Sequence, residues 1–319
     1  MSNNLIRIKS NTSAVEPIEV IQNPLDEFIA GQLTEQTRKA YLSDLRQFFG
    51  IGNLTIEHIQ EVSFHDLIAY RNKLVSQGYK KTTINRKLAS LRAFFKMLKA
   101  AGMIENNPAD SSLVRGFRQE ENLTGKTIPQ QTLQNLIKQI ATTEDILIRT
   151  RDTALVYMLT FGGLRRSEAA QIHWDDLQQD GVFHILSLRE TKSGVPQDIK
   201  LQDDVIHYLE DYKSTLLKHG YSVQRSVFIS LSRNDSHGLA LSDHAINNIV
   251  KRHALKAGIT QNITAHMFRH TCCTLAIEGG AKPQQVQAHL RHKDLKTTMR
   301  YYENRERLLD NASDYINIS

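Results

Sequence analysis

The sequence predicts a mainly α-helical chain with one small β-sheet: an all-helical N-terminal domain, then a mixed α/β, mostly helical domain. Three observations lead there. Apolar residues recur at helical spacing from about residue 22 to residue 112. A polar stretch from Gly116 to Gly125 carries few apolar residues and reads as a linker. Beyond it, strand formers gather only between Val182 and Leu201. A length of 319 residues suits two domains. The expected division is a tail over 1–21, a helical domain over 22–112, a linker over 113–126 and a second domain over 127–319.

Each element follows from its own residues. Thr34 is a candidate N-cap, with Glu35 in the first turn and Tyr41, Leu45 and Phe48 at helical spacing behind it. A second helical pattern runs from Val62 to Gln77. A third opens near Thr82 or Thr83 and places Ile84, Leu88, Leu91, Phe95 and Leu98 on one face, before Gly102 and Pro108 close the block. In the second domain, a helix near 152–160 breaks at Gly162-Gly163, and another runs through Trp174. Val182–Leu188 and Asp198–Leu201 pair as strands across a turn holding Lys192, Ser193 and Gly194. Helices resume near Ser242. After Tyr301 the chain predicts a short amphipathic helix within Glu303–Ser319, with Leu308, Ala312 and Tyr315 at helical spacing and Leu309 and Ile316 beside them.

Composition narrows the setting. A formal net charge of +6 suits an acidic partner. The two cysteines, Cys272 and Cys273, are adjacent and form no disulfide framework, which points to a reducing compartment. No apolar run reaches the length of a membrane span, and Met1–Glu19 lacks the apolar centre of a secretion signal. A cytoplasmic protein without membrane contact is expected. From residue 79 to residue 102 there are seven cations (Lys80, Lys81, Arg86, Lys87, Arg92, Lys96, Lys99) and no acidic residue. Such a helix suits a polyanion, although a solvated face would look the same.

Three segments carry candidate chemistry. Gly163-Leu164-Arg165-Arg166-Ser167-Glu168 ends one helix and sets Arg165 at the start of the next, where a guanidinium and free N–H groups suit a phosphate. His266 and Arg269, three residues apart, share a helix face and can grip one anion. His292 precedes Tyr301 by nine residues, with a Thr297-Thr298 turn signal between them. Tyrosine, with an ordinary pKa of about 10, is a weak nucleophile unless cations stabilise its phenolate. Taken singly, each segment is more often structural. A metal site is not expected: His270, Cys272, Cys273 and His289 lie close in sequence, but adjacent helical cysteines diverge by about 100°.

The order and spacing of these segments resemble the tyrosine recombinases, or phage integrases, and among them the short Xer- and Cre-like members. That family shows Gly-Leu-Arg-x-Ser-Glu, a lysine in a strand turn, His-x-x-Arg, Leu-Gly-His and a tyrosine nine residues on. Arg165, Lys192, His266, Arg269, His292 and Tyr301 match, and Glu168 matches a supporting acidic residue. Thr37-Arg38-Lys39-Ala40-Tyr41 and Asp44-Leu45 resemble the family's core-binding domain. Arg291 stands where glycine is usual, Arg166 adds a second arginine, and Tyr302 follows Tyr301.

The resemblance implies site-specific cleavage and religation of DNA through a 3′-phosphotyrosine. Arg165 and Arg269 would clamp the non-bridging oxygens, His266 and His292 would donate hydrogen bonds and help move the tyrosine proton, and Lys192 would protonate the departing 5′ oxygen. No cofactor and no metal are expected. The implied partners are double-stranded DNA with a specific site, further copies of the chain (a dimer per site, a tetramer at the synapse) and a related recombinase or accessory protein. Candidate DNA contacts are Arg38, Lys39, Lys81, Arg86, Lys87, Asn247, Lys251 and Arg252. Two alternatives share these features: a type IB topoisomerase relaxing DNA as a monomer, and a DNA-binding regulator that has lost catalysis. Roles in multimer resolution or in moving a mobile element are both open.

Overall fold

A computed structural model describes residues 23–50, 54–118, 126–189, 196–232, 235–309 and 311–316. The expected N-terminal tail and Lys192 lie outside the described residues. The chain divides into two compact units, Met1–Glu121 and Asn122–Ser319. The fold is mainly helical with one three-stranded sheet.

The first unit contains α1 (Pro24–Ala30), α2 (Glu35–Phe49), α3 (Ile56–Gln60), α4 (Phe64–Ser76) and α5 (Lys81–Ala100). Thr34 caps α2 by accepting from the Thr37 N–H, and Ser63 and Asp66 form a reciprocal capping box on α4. Thr34 caps α2 where the sequence places it, whereas the Ser63 box starts α4 two residues after the expected Val62. The core of the unit lies along α5, whose Ile84, Leu88, Leu91, Phe94, Phe95 and Leu98 are buried. Residues just past 112 belong to this packing. Val114 is 1 % exposed, Arg92 donates to its carbonyl, and Asn85 bonds Phe117 through both backbone groups.

The second unit contains α6 (Gln130–Ala141), α7 (Ile146–Phe161), α8 (Arg166–Gln171), strands β1 (Leu177–Asp180), β2 (Phe183–Leu188) and β3 (Gln197–Leu201), then α9 (Asp203–Lys218), α10 (Asp243–Lys256), α11 (Ala265–Glu278), α12 (Pro283–Leu290) and α13 (Leu295–Leu309). The sheet is antiparallel in the order β1-β2-β3, with Leu186 opposite Leu177 on one side and Ile199 on the other. Its core is built on α7, whose Ala154, Leu155, Met158 and Leu159 are buried in one cluster with Val205, Leu209, Tyr212 and Leu216 of α9. No helix among the described residues is long and apolar enough to cross a membrane.

Four sequence expectations need correction. The helix expected to run through Trp174 stops at Gln171, and Trp174–Asp176 is a 3₁₀ turn. Strand β1 was not expected, because Leu-Gln-Gln-Asp is poor in strand formers; it is an edge strand held by its neighbour. Helix α9 lies where the sequence reading places no helix, although its apolar residues fall at helical spacing. The fourth correction concerns the C-terminus. Thr297 and Thr298 mark no turn but lie inside α13, a single 15-residue helix that carries Tyr301 and ends at Leu309. A 3₁₀ turn, Ala312–Tyr315, follows in place of a separate amphipathic helix.

Candidate active site

Gly163 makes the first half of the site possible. Helix α7 ends at Phe161, and Gly163 takes φ +55°, a left-handed conformation that glycine adopts without a Cβ penalty. A Cβ there would lie 2.4 Å from Leu290 Cδ2 and 3.2 Å from Cys272 Sγ, so space as well as torsion demands glycine. The chain then enters α8 with Arg165 at its N-cap, as its sequence suggests. Glu168, one turn on, accepts from the Arg165 backbone N–H at 2.7 Å and pairs with its guanidinium at 2.5 Å.

The second half comes from α11. Arg269 is 4 % exposed and donates to the Gly163 carbonyl at 2.6 Å and to the Leu290 carbonyl, lashing the α7–α8 turn to the end of α12. Burial and then the Arg165 and Arg291 cations push its pKa down to about 9, still a cation at neutral pH. At the end of α12, Arg291 occupies the left-handed region (φ 55°, ψ 45°), which explains why the resembling family has glycine there. Its side chain turns inward, pairs with Glu168 at 2.8 Å and donates to the His289 carbonyl at 2.7 Å. Its buried Nε has no hydrogen-bond partner. Glu168 therefore bridges two arginines. Burial alone would raise its pKa, but Arg291 and Arg165 outweigh that and hold it below its ordinary value.

Helix α13 closes the site. Tyr301 is 8 % exposed, and its hydroxyl is hydrogen-bonded to His270 Nδ1. The two rings stack with centroids 5.8 Å apart. His292 bonds the Thr298 hydroxyl through Nδ1 at 2.9 Å, so a residue read as turn signal instead orients a candidate site histidine. Arg165, His266, Arg269, His270, His292 and Tyr301 line one pocket of about 320 Å³, together with Cys273, Lys293, Asp294 and Thr297. Five of the seven matched residues, all but Lys192 and Glu168, thus face the same space as the tyrosine that completes them or supply it. Burial, followed by Arg269 and its cationic neighbours, pushes His292 down to about 4. Desolvation, then Arg269 and Arg165, lowers His266. The histidines are neutral at pH 7, hydrogen-bonding groups rather than further charges.

The other residues that the sequence singled out have contacts of their own. Tyr302 packs with Cys272, Cys273, Val286 and Leu290 and does not line the pocket. Arg166 pairs with Asp243 at 2.6 Å. His289 bonds the Phe161 carbonyl at 2.8 Å, both cysteines are buried, and no group of three His, Cys, Asp or Glu side chains among the described residues could hold a metal. Sequence reasoning missed His270, weighed only as a metal ligand. Its spacing of four from His266 was the available signal, because both then lie on one face of α11.

The expected DNA contacts divide. Arg38, Lys39 and Lys81 on the first unit and Lys251 on the second are exposed, with Lys39 paired to Glu35 at 2.6 Å. Lys87 is a correction: it is 5 % exposed and bonded to Asp44 at 2.9 Å and Gln47 at 2.5 Å, because α5 is amphipathic and position 87 falls on its core side. Arg86 is half-exposed but forks onto the same carboxylate. Asn247 accepts from the Ala265 N–H at 3.1 Å, fixing the start of α11, and Arg252 pairs with buried Asp152 at 3.3 Å.

Comparison with known proteins agrees with this geometry. Residues 126–307 match the phage integrase family, and residues 26–102 match the phage integrase N-terminal SAM-like domain. The chain is a tyrosine recombinase of the phage integrase family. Curated relatives of this recombinase include tyrosine recombinase XerC of Lacticaseibacillus casei, 28 % identical over 290 residues (90 % of this chain, 93 % of the relative). XerC of Thermodesulfovibrio yellowstonii is 27 % identical over 271 residues (84 % and 85 %). Among solved structures, a lambda integrase (75–356) dimer bound to a COC′ core site superimposes with a TM-score of 0.68 at 19 % identity, covering 93 % of this chain and 98 % of that one. The Tn1549 transposon integrase in complex with a circular intermediate DNA gives 0.66 at 18 %, covering 88 % and 95 %. At such identities the likeness shows the fold of the recombinase.

Proposed function

We propose that the recombinase cleaves and rejoins DNA at a specific site through a 3′-phosphotyrosine on Tyr301. One observation carries this reading: the Tyr301 hydroxyl shares a pocket of about 320 Å³ with Arg165, Arg269, His266 and His292. Attack on a phosphodiester builds charge on its non-bridging oxygens. Each arginine has five N–H donors, and those not engaged with Glu168 or with backbone carbonyls are available to that charge. Glu168 holds Arg165 in place from two sides of its carboxylate. Lys192 is assigned as acid to the 5′ oxygen on the family resemblance. Exchange of one phosphodiester for another needs no external energy source, and the arginines supply the positive charge that a metal supplies elsewhere.

The test begins with the DNA. Nuclease protection by the full-length protein identifies a bound segment, and a nicked duplex of that segment traps the covalent complex. Wild type and Tyr302→Phe are expected to form the adduct, whereas Tyr301→Phe is expected to bind the duplex and form none. An adduct on Tyr302 refutes the assignment. A supercoiled plasmid without the segment separates the topoisomerase alternative, which would relax it.

We further propose that the recombinase acts as dimers on each site and as a tetramer across two, in the cytoplasm and on the nucleoid, with a second copy receiving its C-terminal residues. Supporting this, Leu309 and Ile316 are 67 % and 69 % exposed, so their apolar surface is not buried on their own unit. The domain boundary falls within the polar segment ending at Gly125, and Arg38, Lys39, Lys81 and Lys251 meet phosphates. A related recombinase or accessory protein is a further candidate partner.

A further inference from the structure

We propose that His270 is the base that takes the phenolic proton of Tyr301 when the tyrosine attacks DNA; the inference rests on Tyr301 being the nucleophile. The geometry is direct. The Tyr301 hydroxyl is hydrogen-bonded to His270 Nδ1, and the two rings stack 5.8 Å apart with 30° between their planes. The His266 ring also packs on the His270 imidazole, with centroids 4.5 Å apart and planes at 84°, so the His270 ring has two aromatic neighbours. The histidines to which the sequence assigns this work are placed otherwise. His292 directs Nδ1 to Thr298, and His266 packs against His270 itself.

The chemistry requires such an acceptor. A phenol near its ordinary pKa of about 10 is protonated at neutral pH, and a base must stand within hydrogen-bond reach of the proton it removes. His270 is neutral in the free protein: burial, then His266, Lys126, Arg269 and His292, push it down to about 4. A neutral imidazole with its proton on Nε2 presents Nδ1 as acceptor, and the Tyr301 O–H donates to it. The scissile phosphate brings a negative charge to Arg165 and Arg269, and so offsets part of the cationic field that suppresses protonation of His270. In cleavage, the Tyr301 O–H bond breaks as Nδ1–H forms, the Tyr301 oxygen bonds to phosphorus, and the bond from phosphorus to the 5′ oxygen breaks. The 5′ oxygen takes its proton from an acid, assigned above to the Lys192 ammonium. In religation the steps reverse: a 5′ hydroxyl attacks phosphorus as its proton passes to the Lys192 amine, the bond from phosphorus to the tyrosine oxygen breaks, and the His270 imidazolium returns its proton to that oxygen.

The variant His270→Asn tests this, because Asn Oδ1 can accept the same hydrogen bond yet cannot hold the proton. Adduct formation is measured in single turnover on the nicked duplex that the full-length protein protects. His270→Asn should bind that duplex as wild type does and form adduct roughly a hundredfold or more slowly. Replacing Tyr301 by a ring-fluorinated tyrosine makes the phenol more acidic and should shrink that loss at least tenfold. If His270→Asn melts early, His270→Gln is read in the same way. A rate within threefold of wild type, or a loss that fluorination leaves unchanged, overturns the inference while Tyr301 stands as nucleophile. Wild-type protein that forms no adduct, or Tyr301→Phe that still does, overturns both.

Discussion

A single departure from the family pattern, Arg291, shows how far one side chain can alter a site. Its backbone is left-handed, which costs a non-glycine residue about 1–2 kcal/mol. Its guanidinium gives Glu168 a second cation, which offsets that strain. Two substitutions separate these effects. Arg291→Gly and Arg291→Ala both lose the ion pair, but only glycine relaxes the backbone, so Arg291→Gly should be the more stable of the two by about 1 kcal/mol in urea unfolding. That order is the reverse of their order in a helix, and equal stabilities would sink the strain argument. Gly163 is the converse case. Gly163→Ala meets a forbidden torsion and the Leu290 side chain together, and should cost about 2–4 kcal/mol while displacing the α12 carbonyl that Arg269 holds.

Among helices, α5 carries the clearest lesson. Its lack of acidic residues reads as a DNA-binding face, yet Asp44, three helices back on α2, answers part of that charge from within the core. Lys87→Ala should therefore act as a broken buried pair, costing about 3–5 kcal/mol of stability, and leave the salt dependence of DNA binding nearly unchanged. Lys81→Ala should do the opposite, flattening the salt dependence by about one slope unit per lost phosphate contact at unchanged stability. The one-sided apolar pattern of α5 was legible in the sequence, as were the Gly163 turn, the shared face of His266 and Arg269, and the spacing to Tyr301. Partners that arrive from distant segments were not: Asp44 beneath Lys87, Arg291 on Glu168, His270 against Tyr301. Nothing local marks β1, whose strand character comes from the neighbour it pairs with. Helix α11 and the turn between α12 and α13 also carry a pH signature. His270 and His292 keep pKa values of about 4 in the fold against an ordinary 6.5. The unfolded chain thus binds protons first, so stability is full above pH 6.5 and falls as pH drops from 6.5 towards 4. The melting temperature should fall between pH 7 and pH 5, and His292→Asn should fall less; an equal fall removes His292 from the account.

For the whole molecule the governing feature is that α13 carries the tyrosine in its middle and apolar residues at its end. Deletion of Leu308–Ser319 should leave DNA binding at one site intact while impairing the pairing of two sites and recombination, as read by gel mobility of the synaptic complex. A truncated protein that still pairs sites refutes docking between copies. Viewed mechanically, the 15-residue helix is a stiff rod roughly 21 Å from first to last Cα, with Tyr301 roughly 9 Å from its start. Pivoting about its first turn, such a rod is a reducing lever: a swing of about 2 Å at Leu309 moves Tyr301 by about 0.9 Å. A displacement of about 1 Å at a reacting group is worth about a hundredfold in rate. If a neighbouring copy grips the tail as proposed, it would have a fine adjustment on the proposed nucleophile, large motions outside being geared down to the scale on which chemistry is switched on or off.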